Sequence, residues 1–279
     1  MSRITAYIIA YNQAEKIADA VNSVLWADEV LLVDSHSTDG TDRIAAGLGA
    51  RVVHVPFAGF GALRNAAIDA CTGEWVFSLD SDERCTPEAR DEMLRIISAP
   101  ESADAYFVPR RNHFMGRWIR FSGYYPDYRQ PQLFRKGALR YRPDMVHETY
   151  ELLTDRAPGV LTAAIWQVPY VDLAELQNKI TRYSSLGADQ MQRTGRTAGL
   201  WTALGHGGWA FFHQYVIKLG VLDGWAGFVL ALSNFEATFY KYAKRAAQTA
   251  DWVSPASPPL LRQEGAMTSK TGSEQRGAH

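Results

Sequence analysis

Five short apolar runs recur through the first 110 residues: "ITAYIIAY", "EVLLVD", "RVVHVP", "EWVFSLD" and "DAYFVP". Most lack the polar alternation of a half-exposed strand, so they read as strands buried on both faces. Segments with helical spacing lie between them. Ile17, Ala20, Val21, Val24 and Leu25 form one stripe; Leu63, Ala67 and Ile68 form another, with Gly73 suited to that helix's end. Thr86, Pro87 and Glu88 read as an N-cap with proline in the first turn, opening a helix through Met93, Leu94 and Ile97. This order argues for an α/β fold with a mostly parallel sheet flanked by helices.

In such sheets ligands bind beyond the carboxyl ends of the strands. The first run ends in Ala10, Tyr11 and Asn12, the second in Asp34, Ser35, His36 and Ser37, and the fourth in Asp80, Ser81 and Asp82. Three polar ends on one edge are better explained by a site than by solvated strand tips. Carboxylates two apart on a strand share a face, roughly 6–7 Å apart. Side by side they repel, and a cation or hydrogen-bond donors must compensate. Asp80 and Asp82 are hard oxygen ligands suited to Mg2+ or Mn2+, and no His/Cys set with zinc spacing accompanies them. Asp34 can accept hydrogen bonds from a base or a ribose. Asp39-Gly40 is turn chemistry, Thr41 is placed to cap the next helix, and Ser37 and Thr38 read as structural. Neither G-x-G-x-x-G nor a Walker-type loop is present, so a nucleotide held by carboxylates and a metal is the reading that remains.

The chain of 279 residues carries a net charge of −1, which gives no global reason to expect nucleic acid. Its two cysteines, Cys71 and Cys85, make no disulfide framework and fit a reducing compartment. The first residues lack a signal peptide's length and cleavage site, and no 18-residue uncharged apolar run exists, so the expected location is cytoplasmic. Charge is uneven, however. From Arg110 to Arg142 there are nine basic residues and one acid, Asp127, with aromatics interleaved, which reads as a groove for something anionic.

Beyond Arg142 the character changes. Asp172 with Glu175 three residues on reads as a capped helix start, followed by a stripe of Leu173, Leu176, Ile180, Tyr183 and Leu186. A stretch rich in Trp, Phe and Leu follows, broken by Lys218 and Asp223 and ending in Lys241, Lys244 and Arg245. It fits two helices around "LGVLDG", either packed on the domain or lying in a membrane interface. From Val253 onwards Pro, Ser, Gly and charge predict a disordered tail.

"AYNQAEKI", "LLVDSHSTDGT", "FGALRNAA" and "FSLDSDE" resemble, in order and spacing, the inverting glycosyltransferases of family 2, which have the GT-A nucleotide-sugar-binding fold. "FMGRWIRFSGYYPDYRQPQLFR", "MVHETY" and "LGVLDGWAGF" resemble a narrower bacterial subgroup, the lipopolysaccharide core β-1,4-glucosyltransferases. The likeness runs from about Ile4 to about Lys244. It implies that Ala10, Tyr11, Asn12 and Asp34 hold the nucleotide, usually uridine, with Arg64 and Asn65 nearby. Asp80, Ser81 and Asp82 match the D-x-D element. The spacing suggests that Asp82 reaches the metal while Asp80 contacts ribose or a metal-bound water.

An inverting transfer needs one base to take the acceptor hydroxyl's proton. Relatives usually carry it in an acidic dipeptide; here "VHE" stands in that place, making Glu148 the first candidate and Asp127 the second. Arg129, Gln132, Arg135 and His147 are the candidate acceptor and phosphate ligands. Two positions depart from the pattern: Gln13, where many relatives have Glu, and Gln167, where a histidine is expected.

The expected whole is a metal-dependent transferase moving a hexose, glucose from UDP-glucose, to an anionic lipid-linked glycan such as the lipopolysaccharide inner core. A GT-A domain would span 1–165, its nucleotide-sugar half about 1–100 and its acceptor half about 101–165. A helical region over 166–250 would touch the membrane's inner face, and 251–279 would form the tail. A sugar-phosphate nucleotidyltransferase and a non-catalytic glycan- or nucleotide-binding module are the competing readings.

Overall fold

The computed structural model describes residues 3–142 and 149–248. The tail over 251–279 lies outside them. Strands are β1 (Ile4–Ala10), β2 (Glu29–Asp34), β3 (Arg51–His54), β4 (Trp75–Asp80), β5 (Glu83–Arg84), β6 (Ala105–Phe107), β7 (Arg110–Phe114), β8 (Arg117–Ile119), β9 (Pro131–Arg135), β10 (Leu139–Tyr141), β11 (Tyr150–Leu152), β12 (Gly159–Val160) and β13 (Ile165–Gln167). Helices are α1 (Ala14–Asn22), α2 (Thr41–Gly47), α3 (Phe60–Ala70), α4 (Pro87–Ser98), α5 (Leu173–Arg193), α6 (Leu200–Phe212) and α7 (Gly224–Ala247).

The main sheet has seven strands in the order β12-β6-β9-β4-β1-β2-β3. All pair in parallel except at β9, which runs against both β4 and β6. The sheet is therefore mixed but mostly parallel, as expected. β1 is buried at every position because helices cover both faces. Ile4, Ala6, Ile8 and Ala10 pack with α1 and α4 residues such as Ile17, Val21 and Met93. Tyr7 and Ile9 pack with Leu63, Ala67 and Ile68 of α3.

Local signals act as the sequence predicts at two helix starts. The Thr86 hydroxyl accepts from the Ala89 amide at 3.1 Å, and the Asp172 carboxylate accepts from the Glu175 amide at 2.7 Å. Caps of this kind contribute about 1 kcal/mol each. Thr41 does not cap α2. Gly40, at φ 91°, holds the N-cap position, and the Thr41 hydroxyl instead accepts from the Gln13 amide at 2.8 Å.

A second sheet, β5-β13-β7-β8, carries the chain from the main sheet to the C-terminal helices. Its Phe114 and Ile119 pack with Leu176 and Ile180 of α5 and with Ala226 and Leu230 of α7. The N-terminal half is fastened to α5 directly: the buried Lys16 ammonium lies 2.6 Å from Glu175 and 3.2 Å from the Pro169 carbonyl.

"LGVLDG" breaks the apolar stretch as expected. α6 runs into a π-helical turn (His213–Ile217), Leu219 turns at φ 57°, and a 3-10 turn (Gly220–Asp223) starts α7. Gly227 is forced by this packing, since a β-carbon there would sit 2.0 Å from the Gly220 carbonyl oxygen. Among the described residues no single helix is long and apolar enough to cross a membrane, but the two halves of this hairpin, bent by 72°, pass that test together.

Candidate active site

Parallel register aligns the polar strand ends. Asp34 pairs with Ala10, Asp80 with Ile9, and His54 with Asp34. Convergence on one sheet edge is thus a fact of the ladder.

The first two ends are knitted into one loop platform. The Asn12 amide donates to Ser37 Oγ at 2.9 Å, and the Thr38 amide donates to Asn12 Oδ1 at 2.9 Å. Asp34 is fully buried. Its Oδ2 accepts from the Ser37 amide at 2.7 Å and lies 3.3 Å from His54 Nδ1, while Oδ1 accepts from Ser37 Oγ. In this state Asp34 shapes the loop, and Ser37 is the structural partner the sequence suggested. Tyr11 stands exposed above this edge, and the His36 and His54 rings stack 5.7 Å apart. No sequence signal marked His54; it is the last residue of β3 and comes into place only through the ladder.

At the end of β4 the two aspartates live in different environments. Arg64 of α3 donates to Asp80 Oδ1 at 2.8 Å and to Ser78 Oγ at 3.1 Å. Burial opposes the Asp80 charge, but the Arg64 guanidinium and then Arg110 hold its carboxyl below the usual carboxylate range. Asp82 has no ion-pair partner among the described residues. Its carboxylate meets Gln167 Nε2 at 3.3 Å, a long contact, and its carbonyl accepts from Val168 at 2.8 Å. Burial, then the charges of Asp80 and Glu83, push the Asp82 carboxyl up to about 6, against the pull of Lys179. An acid raised in this way is the one that a bound cation would relieve. Buried Gln167 Oε1 has no hydrogen-bond partner among the described residues and adds a hard oxygen beside it. Among the described residues no group of three or more His, Cys, Asp or Glu gathers there, so a Mg2+ or Mn2+ ion would rest on the Asp82 carboxylate and the Gln167 amide oxygen and complete its shell with ligand oxygens. The donor set fits such an ion. Gln167 thus sits where a histidine was expected and contacts the same carboxylate. Ser81 is half-buried between the aspartates, its carbonyl accepting from Arg84 at 3.0 Å.

Beneath this edge lies a buried network that sequence reasoning missed. Glu83 is fully buried. It accepts from the Asp80 amide at 2.9 Å, from Gln132 Nε2 at 2.9 Å, and from Arg110 Nε. Arg110 also donates to the Asp127 carbonyl at 3.1 Å. One guanidinium therefore joins the D-x-D turn to the loop that carries Asp127. Spacing gave no sign that Glu83 turns inward while Asp82 turns out.

The basic segment does not form one groove. Arg110 is buried in that network. Arg129 pairs with Asp127 at 2.8 Å, Arg140 with Asp69, and Arg135 lies 3.2 Å from Asp104 and over the Trp75 ring. Arg135 pairs in register with Trp75, the opposite end of β4 from Asp80, so it is remote from the candidate site. Gln132 is buried under Glu83 and Ser78. Asn65 uses both ends of its amide on the Tyr141 backbone, at 2.8 and 2.9 Å, and so braces β10. Glu148 and His147 lie outside the described residues.

The sequence model of glycosyl transferase family 2 matches residues 5–157 of the chain. An uncharacterized glycosyltransferase of Rickettsia felis is 29% identical over 259 residues, covering 88% of this chain and 89% of its own. The lipopolysaccharide core biosynthesis glycosyltransferase LpsC of Rhizobium meliloti is 25% identical over 252 residues, covering 86% and 91%. Among solved structures, glucosyl-3-phosphoglycerate synthase from Mycobacterium tuberculosis overlaps with a TM-score of 0.34 at 25% identity, over 40% of this chain and 44% of its own. The family match takes in more than half of the chain and contains the ends of β1, β2, β3 and β4, and the chain accordingly belongs to glycosyl transferase family 2 and is a glycosyltransferase.

Proposed function

We propose that the protein is a metal-dependent, inverting transferase that moves a hexose from a uridine diphosphate sugar, UDP-glucose, to an anionic, lipid-linked glycan of the lipopolysaccharide core type. The observation that carries this reading is the contrast at the end of β4: Asp80 is neutralised by Arg64, while Asp82 is raised and unpaired beside an unused amide oxygen. The donor would lie across the aligned ends of β1, β2 and β4, its base over Tyr11 and the Asn12–Ser37 platform. Asp34 would reach it after exchanging a bond to Ser37 or His54.

The acceptor hydroxyl attacks the anomeric carbon, the bond from that carbon to the diphosphate breaks, and the hydroxyl proton passes to a base. Glu148 is proposed as that base. Asp127 is the alternative, but its carboxylate is already engaged by Arg129, which favours an anchoring role. Mg2+ or Mn2+, when bound at Asp82, supplies positive charge to the departing diphosphate. Arg64 fixes Asp80, and Gln167 orients Asp82.

The α6–α7 hairpin is proposed to meet the inner face of the cytoplasmic membrane. Trp201, Trp209 and Trp225 are 83%, 60% and 66% exposed, and Phe212, Ile217 and Leu222 stand out of the same hairpin. Exposed apolar surface on this scale marks an interaction site. Trp-rich surfaces suit the bilayer interface.

The test is a thermal-shift titration of the full chain with UDP and UDP-sugars, with and without Mn2+, followed by UDP release in the presence of lipopolysaccharide core acceptor. The reading predicts a metal-dependent shift, lost in Asp82→Ala, and transfer lost in Glu148→Gln with UDP-sugar binding retained. A folded chain that shows no shift with any nucleotide at millimolar concentration refutes the donor assignment.

A further inference from the structure

A cavity of about 430 Å3 lies between the β8–β9 loop, α5 and the α6–α7 hairpin. Among the described residues, none of those lining it is an aspartate or a glutamate. They include Lys179, Lys218 and His213, in a chain where acids outnumber lysine and arginine, 30 to 29. Tyr124, Tyr170 and Tyr183 offer aromatic faces, and Gln214 and Asn234 offer amides. That combination, aromatic walls with a few convergent donors in a volume of this size, suits a small polar ligand of negative charge.

Its position ties it to the candidate active site. Tyr170 follows Gln167 and Val168, which hold Asp82. The positive charge of Lys179 opposes the rise of the Asp82 carboxyl. Tyr124 stands on the loop that leads to Asp127. Lys179 is preset by the Pro169 carbonyl at 2.7 Å and lies 4.7 Å from the Tyr170 ring centre, while its neighbour Glu175, at 3.5 Å, is shared with Lys16. Lys218 has no ion pair among the described residues. The wall itself is fixed. The Ser122 amide donates to the Lys218 carbonyl at 2.8 Å. The buried Asp223 carboxylate accepts from the amides of Arg120 and Phe121 and from the Ser122 hydroxyl, at 2.8–3.2 Å. Lys218 sits on the hairpin between exposed Ile217 and Leu219, so the mouth adjoins the surface proposed to meet lipid.

We propose that this cavity is the acceptor subsite, and that it takes a phosphorylated sugar residue, with Lys218 and Lys179 on the phosphate and the tyrosines on the ring. The inference rests on the transferase reading above, and it moves acceptor recognition from the dispersed arginines of 110–142 to the hairpin.

The test uses the full chain with UDP and Mn2+ and follows glucose 6-phosphate by ligand-observed NMR, with methyl glucoside as the uncharged control. The dissociation constant for glucose 6-phosphate should rise at least fivefold in Lys218→Ala and again in Lys179→Met. Inorganic phosphate should compete, and methyl glucoside should bind more weakly. The UDP–Mn2+ thermal shift should be unchanged in Lys218→Ala, whose side chain is exposed. No binding to the parent protein, or equal binding by both variants with the UDP shift intact, overturns the cavity assignment and leaves the donor site standing. Competition by soluble glycerophosphoglycerol, the phosphatidylglycerol headgroup, as strong as that of glucose 6-phosphate itself identifies the cavity as a lipid-headgroup site and overturns the sugar assignment. Lysine-dependent binding without any UDP shift supports the cavity and refutes the donor reading instead.

Discussion

Arg110→Met tests how the floor of the site is built. The substitution keeps much of the side chain's volume and removes a guanidinium that is 1% exposed. Among the described residues it leaves the fully buried Glu83 carboxylate with only the Asp80 amide and Gln132 as donors, and it frees the Asp127 carbonyl. Removing one partner of a buried pair typically costs about 3–5 kcal/mol, because the remaining charge is left uncompensated. The assay is urea unfolding of the full chain in the absence of nucleotide, comparing Arg110→Met, Glu83→Gln and the double variant. The expected outcome is a loss of about 3–5 kcal/mol for Arg110→Met at unchanged m-value. The double variant should lose clearly less than the sum of the two singles, since it strands no charge. A loss below about 1 kcal/mol, or strictly additive singles, would show that the pair does not act as the buried unit described here.

Three further outcomes follow from particular contacts. In metal-free protein the Asp82 carboxyl is raised from 3.8 to about 6, so its ionised form weakens the fold above pH 6, and that penalty fades as pH falls from 6 towards 4. Two units correspond to nearly 3 kcal/mol, and partial exposure reduces this to about 1–2, so Asp82→Asn should be more stable than the parent by that amount at pH 7.5 in chelator. Urea midpoints that fail to converge near pH 4 would contradict the assignment. Asp223→Ala leaves two backbone amides and a hydroxyl without their acceptor, with an expected loss of about 2–3 kcal/mol; amide exchange at Arg120 and Phe121 should accelerate sharply. Changing Trp201, Trp209 and Trp225 together to serine should leave unfolding almost unaltered, because all three are exposed, and weaken co-sedimentation with phosphatidylglycerol vesicles by about tenfold or more. Undiminished sedimentation would remove the membrane role of the hairpin.

The amino-acid sequence alone was enough to read the layered α/β architecture. A strand covered on both faces must be apolar at consecutive positions, and β1, β2 and β4 are written that way. It also determined the edge where Asp34, Asp80 and Asp82 converge, because parallel strands place their carboxyl ends together. The helix starts at Thr86 and Asp172 and the break at "LGVLDG" were equally legible, since caps and turns are decided within a few residues. The partners of the charged side chains emerge only in the folded chain. Charge is read from sequence as a sum, but its effect depends on which side chain lies 3 Å away. Nine basic residues between Arg110 and Arg142 look like one groove on paper; in the fold four of them, Arg110, Arg129, Arg135 and Arg140, pair separately with Glu83, Asp127, Asp104 and Asp69. Asp223 looked like a charge interrupting an apolar stretch, and it is the buried acceptor that holds the β8–β9 loop against the hairpin. Lys16 and Glu175, 159 residues apart, meet at 2.6 Å, and no local pattern could announce that contact. Asp80 and Asp82 were given different roles from spacing alone, but their partners, Arg64 on one side and Gln167 on the other, came only with the fold.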